Sequence, residues 1–552
     1  MRYSVDKIPH ELKVPFNMRK CPSAKIILSH PSPDGVSDDE LLKNYAYAIN
    51  GQGKEKKFYA ERYGGHGIFN NGGGARCALT DSFQIKGIGV NPLGGRSTPS
   101  SYSTGSMGLI EAVREFIWSK VLQLALPHGS PDVVAVMSLD KTNQKSSHTD
   151  QRYATIREST TRIAYLERAF HFKPRDGYVI DHDSLRVKAA IETFASGHLD
   201  IRIDTKSNIF PKNFLDSLIN LAVKQAEQYA AAKVRRIMHG ALTGSNSCID
   251  GGWMDFGSID HLPSFATTSN FVFGFWGENR YLFESIKNIC HSAELHSSGK
   301  FNANGGYNYF TSYFDKTYEE NLMKNFCYLL GFDEAFVTSS SGAIIHHLVN
   351  ISRHIAKAVF NQTNPNADCF FEHPSKSVLD LAILCSEAIG CDNANFSVTK
   401  FKTLNNSLIS DLRALSNAYV AHAIDSGIPK NNAFRALVTT SVRRTAFFKK
   451  LNSTEMNKCI KSHSLSNDDL NRYSQMMLSE AAVAFSPRAA WPTQVGSIDG
   501  ITHHYCPSTG IVVSDANEHI SIDEWCFLVK KAPEMTKSIT EITEKALGRE
   551  DV

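Results

Sequence analysis

Asn246 and Asp255 stand nine residues apart in the stretch His239–Gly257, HGALTGSNSCIDGGWMDFG, which ends in Asp255-Phe256-Gly257. A carboxamide followed at this distance by the aspartate of a D-F-G turn can hold a divalent cation against nucleotide phosphates, because both side chains offer hard oxygen ligands. In such a site a base four or five residues before the asparagine accepts the proton of an attacking hydroxyl. This chain has no acid there, and Ser245 directly precedes Asn246. The residues therefore keep a metal clamp and lack a base. His239 is expected to brace the loop rather than to react.

Elements upstream supply the charges that such a clamp needs. Around Asp81-Ser82 the sequence reads as a turn between two short strands. In the second strand Phe83 and Ile85 alternate with Gln84 and Lys86, so the period of two places Lys86 on the face opposite the apolar pair. The run MGLIEAVREFIWSKVLQLAL predicts a helix, with Leu109, Val113, Phe116, Ile117 and Val121 on one side and Glu115 flanking that stripe. With Glu115 on the next helix, an ion pair between Lys86 and Glu115 is expected. Between Tyr63 and Arg76 lies a glycine-rich loop, including Gly64, Gly65, Gly72, Gly73 and Gly74, whose small residues would let backbone N–H groups approach an anion. SDDELLKNY predicts a short helix after a Ser37 cap. DVVAVMSLD and RYATIREST predict strands, as does TRIAYL, and a long helix is predicted through KNFLDSLINLAVKQAEQYAAAKVRR with Leu215, Leu218, Ile219, Ala222 and Ala226 on one face. Most segments after Asp255 read as helices. The stretch from Ser486 to about Asp523 is less regular, with strands among Pro and Gly.

The ordered set of motifs over roughly residues 60–260 resembles the selenoprotein O family. The family pattern HG-x-x-NTDN followed by DYG corresponds without a gap to HGAL-TGSN and DFG here. Its YxGHQFG, GDGR, QxKGxG and xxIREF segments correspond in order to YGGHGIF (63–69), GGAR (73–76), QIKGIG (84–89) and AVREF (112–116). The resemblance implies an α+β, bilobal protein-kinase-like fold, with a strand-rich N-lobe, a helical C-lobe and a long helical C-terminal extension. It implies transfer of AMP from ATP, with Mg²⁺ bound by Asn246 and Asp255 and phosphates positioned by a Lys86–Glu115 ion pair, and Gly73, Gly74 and Arg76 of the glycine-rich loop are further candidates for nucleotide contact. The family segment R-V-A-P-S-H-x-R-F-G-H-F is similar to RIAYLERAFHF with one residue deleted, which implies Arg162 and Arg168 as phosphate contacts. The departures are Ser245 for the family's Asp base, GGAR for GDGR, and a KALGREDV terminus without Cys or selenocysteine.

An acceptor hydroxyl gains from a base, and a serine hydroxyl is too weak to be one near neutral pH. Three readings stay open: a carboxylate acceptor that arrives ionised and forms an acyl adenylate, AMP transfer to protein Ser, Thr or Tyr with another base, or a nucleotide-binding pseudoenzyme without catalysis. In length and divergence the chain is similar to the microcin-maturation proteins of enterobacteria. That likeness implies activation of a peptide C-terminal carboxylate for linkage to a glucosylated siderophore, with an acyltransferase-like partner protein. The expected domains are 1–170, 171–390 and 391–552, the last for partner or substrate binding. A net charge of +3 over 552 residues argues against a nucleic-acid or membrane partner. Eleven cysteines without a C-x-x-C pair, and no apolar signal segment, predict a cytoplasmic protein. His503, His504 and Cys506 lack a second ligand pair and are expected to be structural.

Overall fold

The computed structural model describes residues 8–531, except 31–34, 97–103, 140–150, 176–179, 197–209, 266–274, 363–381, 390–405, 486–492, 499–500 and positions 81, 181, 264, 333, 384 and 465. Asp81 and the KALGREDV terminus thus lie outside the described residues. The chain is a mixed α+β protein, with a large antiparallel sheet in its N-terminal region and many helices after it.

The sheet has eight strands in the order β2-β7-β8-β6-β5-β4-β1-β3. They are β1 (Lys13–Lys20), β2 (Lys25–Ser29), β3 (Tyr47–Ala48), β4 (Glu55–Glu61), β5 (Cys77–Leu79), β6 (Phe83–Lys86), β7 (Val133–Ser138) and β8 (Tyr153–Glu158). One face packs Phe58, Phe83, Ile85, Met137 and Ile156 against Leu41 of helix α1 (Asp38–Tyr45). That helix begins at a reciprocal Ser37–Glu40 capping box. The other face of β6 carries Gln84 and Lys86, as the alternation predicts, but neither meets solvent: they are 2% and 1% exposed. Helix α2 (Leu109–Ala125) packs on this side, burying Val113, Phe116, Ile117 and Val121.

The helices that follow are α3 (Asp183–Ala195), α4 (Phe210–Val234), α5 (Arg280–His296), α6 (Ala303–Leu329), α7 (Glu334–Ser339), α8 (Gly342–Gln362), α9 (Asn406–Asp425), α10 (Lys430–Thr445), α11 (Ser453–His463), α12 (Asn467–Phe485) and α13 (Ile522–Lys531). Between α4 and α5 the short strands β9 (Ile237–Met238) and β10 (Asp260–His261) pair. A four-stranded sheet, β11 (Thr493–Ile498), β12 (Ile501–Cys506), β13 (Ile511–Ser514) and β14 (His519–Ile520), precedes α13. No helix among the described residues is long and apolar enough to cross a membrane.

Two expectations are corrected. Ile163–Leu166, read as a strand, is a buried 3₁₀ turn. Its backbone docks on the His239–Gly257 stretch instead of on a sheet: Ile163 N–H donates to the Ser247 carbonyl at 3.0 Å and Ala164 N–H to that of Gly244 at 3.0 Å. The fully buried line of α4 runs through Phe214, Leu218, Leu221, Ala222 and Ala226, and Leu215 and Ile219 are only half-buried. Part of the span expected as a C-terminal extension packs with the N-terminal region. Phe448, Leu451, Met456, Tyr473 and Met477 join the same apolar core as Leu28, Val136 and Phe116.

Candidate functional site

A hairpin explains why nine residues bring Asn246 and Asp255 to one place. Ser247 bridges Trp253 in antiparallel fashion, and Met254 N–H donates to the Asn246 carbonyl at 3.0 Å. The turn passes through Gly251, at φ +95°, where a Cβ would strike His128 and Lys224. Counting outward from the bridge, Asn246 stands opposite Met254 and Asp255 follows one residue on, so both reach the open end, where they line one cavity. Asp255 itself takes a left-handed φ of +72°, an unusual state for a residue with a Cβ. The following Phe256 is buried in the main core, edge-on to His239. His239 is fully buried and its Nε2–H donates to the Met254 carbonyl at 2.9 Å. Burial holds its pKa below the ordinary value, so the ring is a neutral brace.

This open end faces a cavity of about 850 Å³ lined by Lys86, Arg76, Arg162, Asn246, Asp255, Gly73 and Gly74 among others. Lys86 donates to Glu115 of α2 and to Asp255 at once, and Glu111 lies 3.5 Å from its Nζ. Burial opposes the Lys86 cation, but Asp255 and Glu115 outweigh it and hold the pKa above the ordinary value. For Asp255, burial favours the neutral acid, yet Lys86, Arg157, Arg76 and Arg162 keep it well below the usual carboxylate range. Burial raises Glu115 despite Lys86. Arg76 grips Glu111 through both terminal nitrogens, at 2.6 and 3.3 Å.

Behind the cavity lies a buried polar layer. Arg162 lies over the Tyr63 ring at 4.8 Å and 3.4 Å from Glu61, and donates to the Ser245 carbonyl. Glu61 also accepts from Gln84 at 2.6 Å and from the Tyr165 hydroxyl. Arg157 donates to Gln84 at 2.7 Å. These bonds fix the guanidinium of Arg162 before any ligand arrives.

The remaining candidates sit differently. The Gly74 N–H is spent on the Glu61 carbonyl at 2.9 Å, so that amide is no phosphate cradle. Gly73 needs its φ of +145° to pass the Glu61 carbonyl, 2.1 Å from where a Cβ would stand. Its requirement is thus for close backbone packing. Arg168 is not brought to Lys86: its Nε donates to Asp183 at 2.9 Å and it lines a second cavity next to the first. Ser245 is buried, sharing a hydroxyl contact of 2.7 Å with Thr243 under the turn at Gly67. His503 is occupied by the Ile501 carbonyl and His504 by Asp515, on β12.

Sequence reasoning missed Glu111, Glu61, Arg157 and Glu167. Glu111 was open to detection, since it precedes Glu115 by four residues and so shares its helix face. The others carry no such signal.

No protein-family model matches the chain, and no curated protein matches it.

Proposed function

We propose that the chain is an ATP- and Mg²⁺-dependent adenylyltransferase of kinase-like, bilobal plan, acting on an acceptor that arrives as an anion. The observation that carries this reading is the convergence of Lys86, Arg76 and Arg162 with Asn246 and Asp255 on one cavity, while the residue at the place of a base, Ser245, is a buried hydroxyl. Asn246 spends its amide nitrogen on the Ala241 carbonyl at 2.8 Å, which turns its carbonyl oxygen away as a ligand. With the ionised Asp255 it makes an oxygen pair that fits Mg²⁺, a cation commonly held by one or two protein oxygens plus phosphates. When bound, the cation neutralises phosphate charge.

The protein's own groups do the rest. Glu115 holds Lys86 in place, and Lys86 and Arg162 stabilise charge that develops on the phosphates. Arg76 is positioned by Glu111 at the cavity wall. In the reaction a carboxylate oxygen of the acceptor attacks the α-phosphorus, the bond to the bridging oxygen of the β-phosphate breaks, and pyrophosphate leaves. An acyl adenylate forms, and no proton has to be removed, which accounts for the missing base. A narrower form of the reading takes the acceptor as a peptide C-terminal carboxylate activated for ester linkage to a glucosylated siderophore, together with an acyltransferase-like partner. It rests on the likeness in length and divergence to microcin-maturation proteins.

The test is incubation with α-³²P-ATP, Mg²⁺ and carboxylate or hydroxyl acceptors, with and without hydroxylamine. Hydroxylamine-labile AMP, or pyrophosphate release that depends on a free carboxylate, is the expected result. Stable AMP on a protein hydroxyl would move the assignment to hydroxyl AMPylation, and ATP binding without turnover to a regulatory pseudoenzyme. Asp255→Ala and Asp255→Asn should each lower turnover by at least about 10²-fold. Full activity in both would remove the metal assignment.

A further inference from the structure

The second cavity, about 370 Å³, shares one wall with the first: Ile68 and Phe69 line both. Its other walls come from Glu167–His171 and from the α5 face that carries Asn288, His291 and Leu295. Three large apolar side chains in these walls are more than half exposed. Phe69 is 51% exposed, Phe170 74% and Leu295 68%. Phe69 also has a left-handed φ of +53°, a costly state for an aromatic residue, and it stands on the ridge between the two cavities.

The charge in this cavity is arranged around Arg168. Asp183 takes its Nε, its guanidinium lies over the Phe170 ring at 5.4 Å, and no described residue bonds to its two terminal nitrogens. His171 and His291 stand in the same walls. The acids nearby are largely committed. Asp183 is shared between Arg168 and Arg186, and Glu284 lies 3.6 Å from His66. Glu167 is buried, its carboxyl turned in against Gly65 and Gly244. A planar guanidinium edge held against an aromatic face suits a carboxylate that has an apolar body beside it.

We propose that this second cavity is the acceptor site, and that it takes a carboxylate borne next to an aromatic or large aliphatic side chain, as at the C-terminal end of a peptide. Arg168 holds the carboxylate, and Phe69, Phe170 and Leu295 cover the side chain. For transfer the carboxylate leaves Arg168 and crosses the Ile68–Phe69 ridge to the α-phosphorus in the first cavity. This assignment rests on the adenylyl-transfer reading, and it gives Arg168 the acceptor in place of the phosphates.

The experiment uses the full chain, with N-acetylphenylalanine and N-acetylphenylalaninamide as probes in ligand-observed saturation-transfer NMR, and ATP with Mg²⁺ in isothermal titration. The acid should bind, with the amide at least about tenfold weaker, as loss of one charge-assisted pair implies. Arg168→Met should bring the acid down to the level of the amide, and Arg168→Lys should restore part of the difference. Leu295→Asp, an exposed change with little bearing on folding, should weaken the acid as well. ATP affinity should stay the same in all three variants. Equal binding of acid and amide, no binding of the acid, or an Arg168→Met variant that binds the acid normally would overturn the assignment. Loss of ATP affinity in Arg168→Met would give the cavity to the nucleotide and overturn it too. If the wild type binds the acid but not ATP, the adenylyl-transfer reading fails. If it binds ATP but not the acid, the acceptor site alone fails.

Discussion

A carboxyl group taken out of water resists ionisation, and Glu167 is such a group, fully buried in the fold. Burial pushes its pKa up to about 7, with Ser285 and Arg186 pulling the other way. Between the ordinary 4.5 and this value, the folded chain keeps a proton that the unfolded chain has shed. The folded state therefore loses stability as pH rises through that window, by roughly 3 kcal/mol for a shift of this size, and the loss is complete above it. Glu167→Gln removes the titration. Urea unfolding at pH 5 and pH 8 should show a smaller fall in stability for the variant than for the wild type. An identical fall in both would show that Glu167 ionises freely. Nothing in RIAYLERAFHF announces this group, because a glutamate in an irregular turn has no period by which burial could be read. Lys86 is the opposite case: its strand alternates, so its face was legible, although the sequence alone did not show that both faces of the sheet are covered.

Among the elements, α2 and α4 were legible because apolar residues recur along them at helical spacing. Helix α10 was not. Nearly every residue from Ala433 to Thr445 is buried, including Thr439, Thr440, Ser441, Arg443 and Arg444, so the segment has no polar face to contrast with an apolar one. Its C-terminal end presents carbonyls without helical partners, which a buried helix has to satisfy in some other way. Arg236, just after α4, does so. Its Nη2 donates to the Thr445 carbonyl at 2.9 Å and to that of Ala446 at 2.6 Å, and its Nη1 donates to the Pro263 carbonyl at 3.0 Å. Burial lowers the Arg236 pKa to about 10, still far enough above neutrality to keep the cation. One side chain thus ties α10 to the segment that enters the His239 loop. Arg236→Met keeps most of the volume and removes all three bonds. Chemical denaturation should show a loss of about 2–4 kcal/mol, since the carbonyls stay buried without donors. A loss under about 1 kcal/mol would mean that water replaces the guanidinium.

Over the whole molecule, the ordered motifs of residues 60–260 made the candidate cavity legible, whereas the long return of the chain onto it was not. A sequence pattern reports local periods, and no local period shows that residues 448–485 pack on β2, a strand laid down more than 400 positions earlier. They do so through α12, which lies against α2 and β2, with the Asn471 amide 3.5 Å from the Ile27 carbonyl. Arg114 of α2 fixes the contact with α11: it donates to the Ser453 carbonyl and the Asn457 side chain at 3.3 and 3.2 Å, and to the Ile259 carbonyl at 2.8 Å. Because α2 also carries Glu111 and Glu115, the segment sets the angle at which those acids meet Arg76 and Lys86. A chain ended after Phe447 should therefore lose its cooperative melt and, on the adenylyl-transfer proposal, the binding of ATP with Mg²⁺. A chain ended after Phe485 gives up, among the described residues, the small cluster around Val495, Tyr505, Val512 and Trp525 and the packing of β11 on α10 and α12, and should keep both, at a lower melting temperature. Calorimetry and titration of the two chains side by side decide the matter. If the shorter one binds ATP like the full protein, α11 and α12 have no part in placing Glu115.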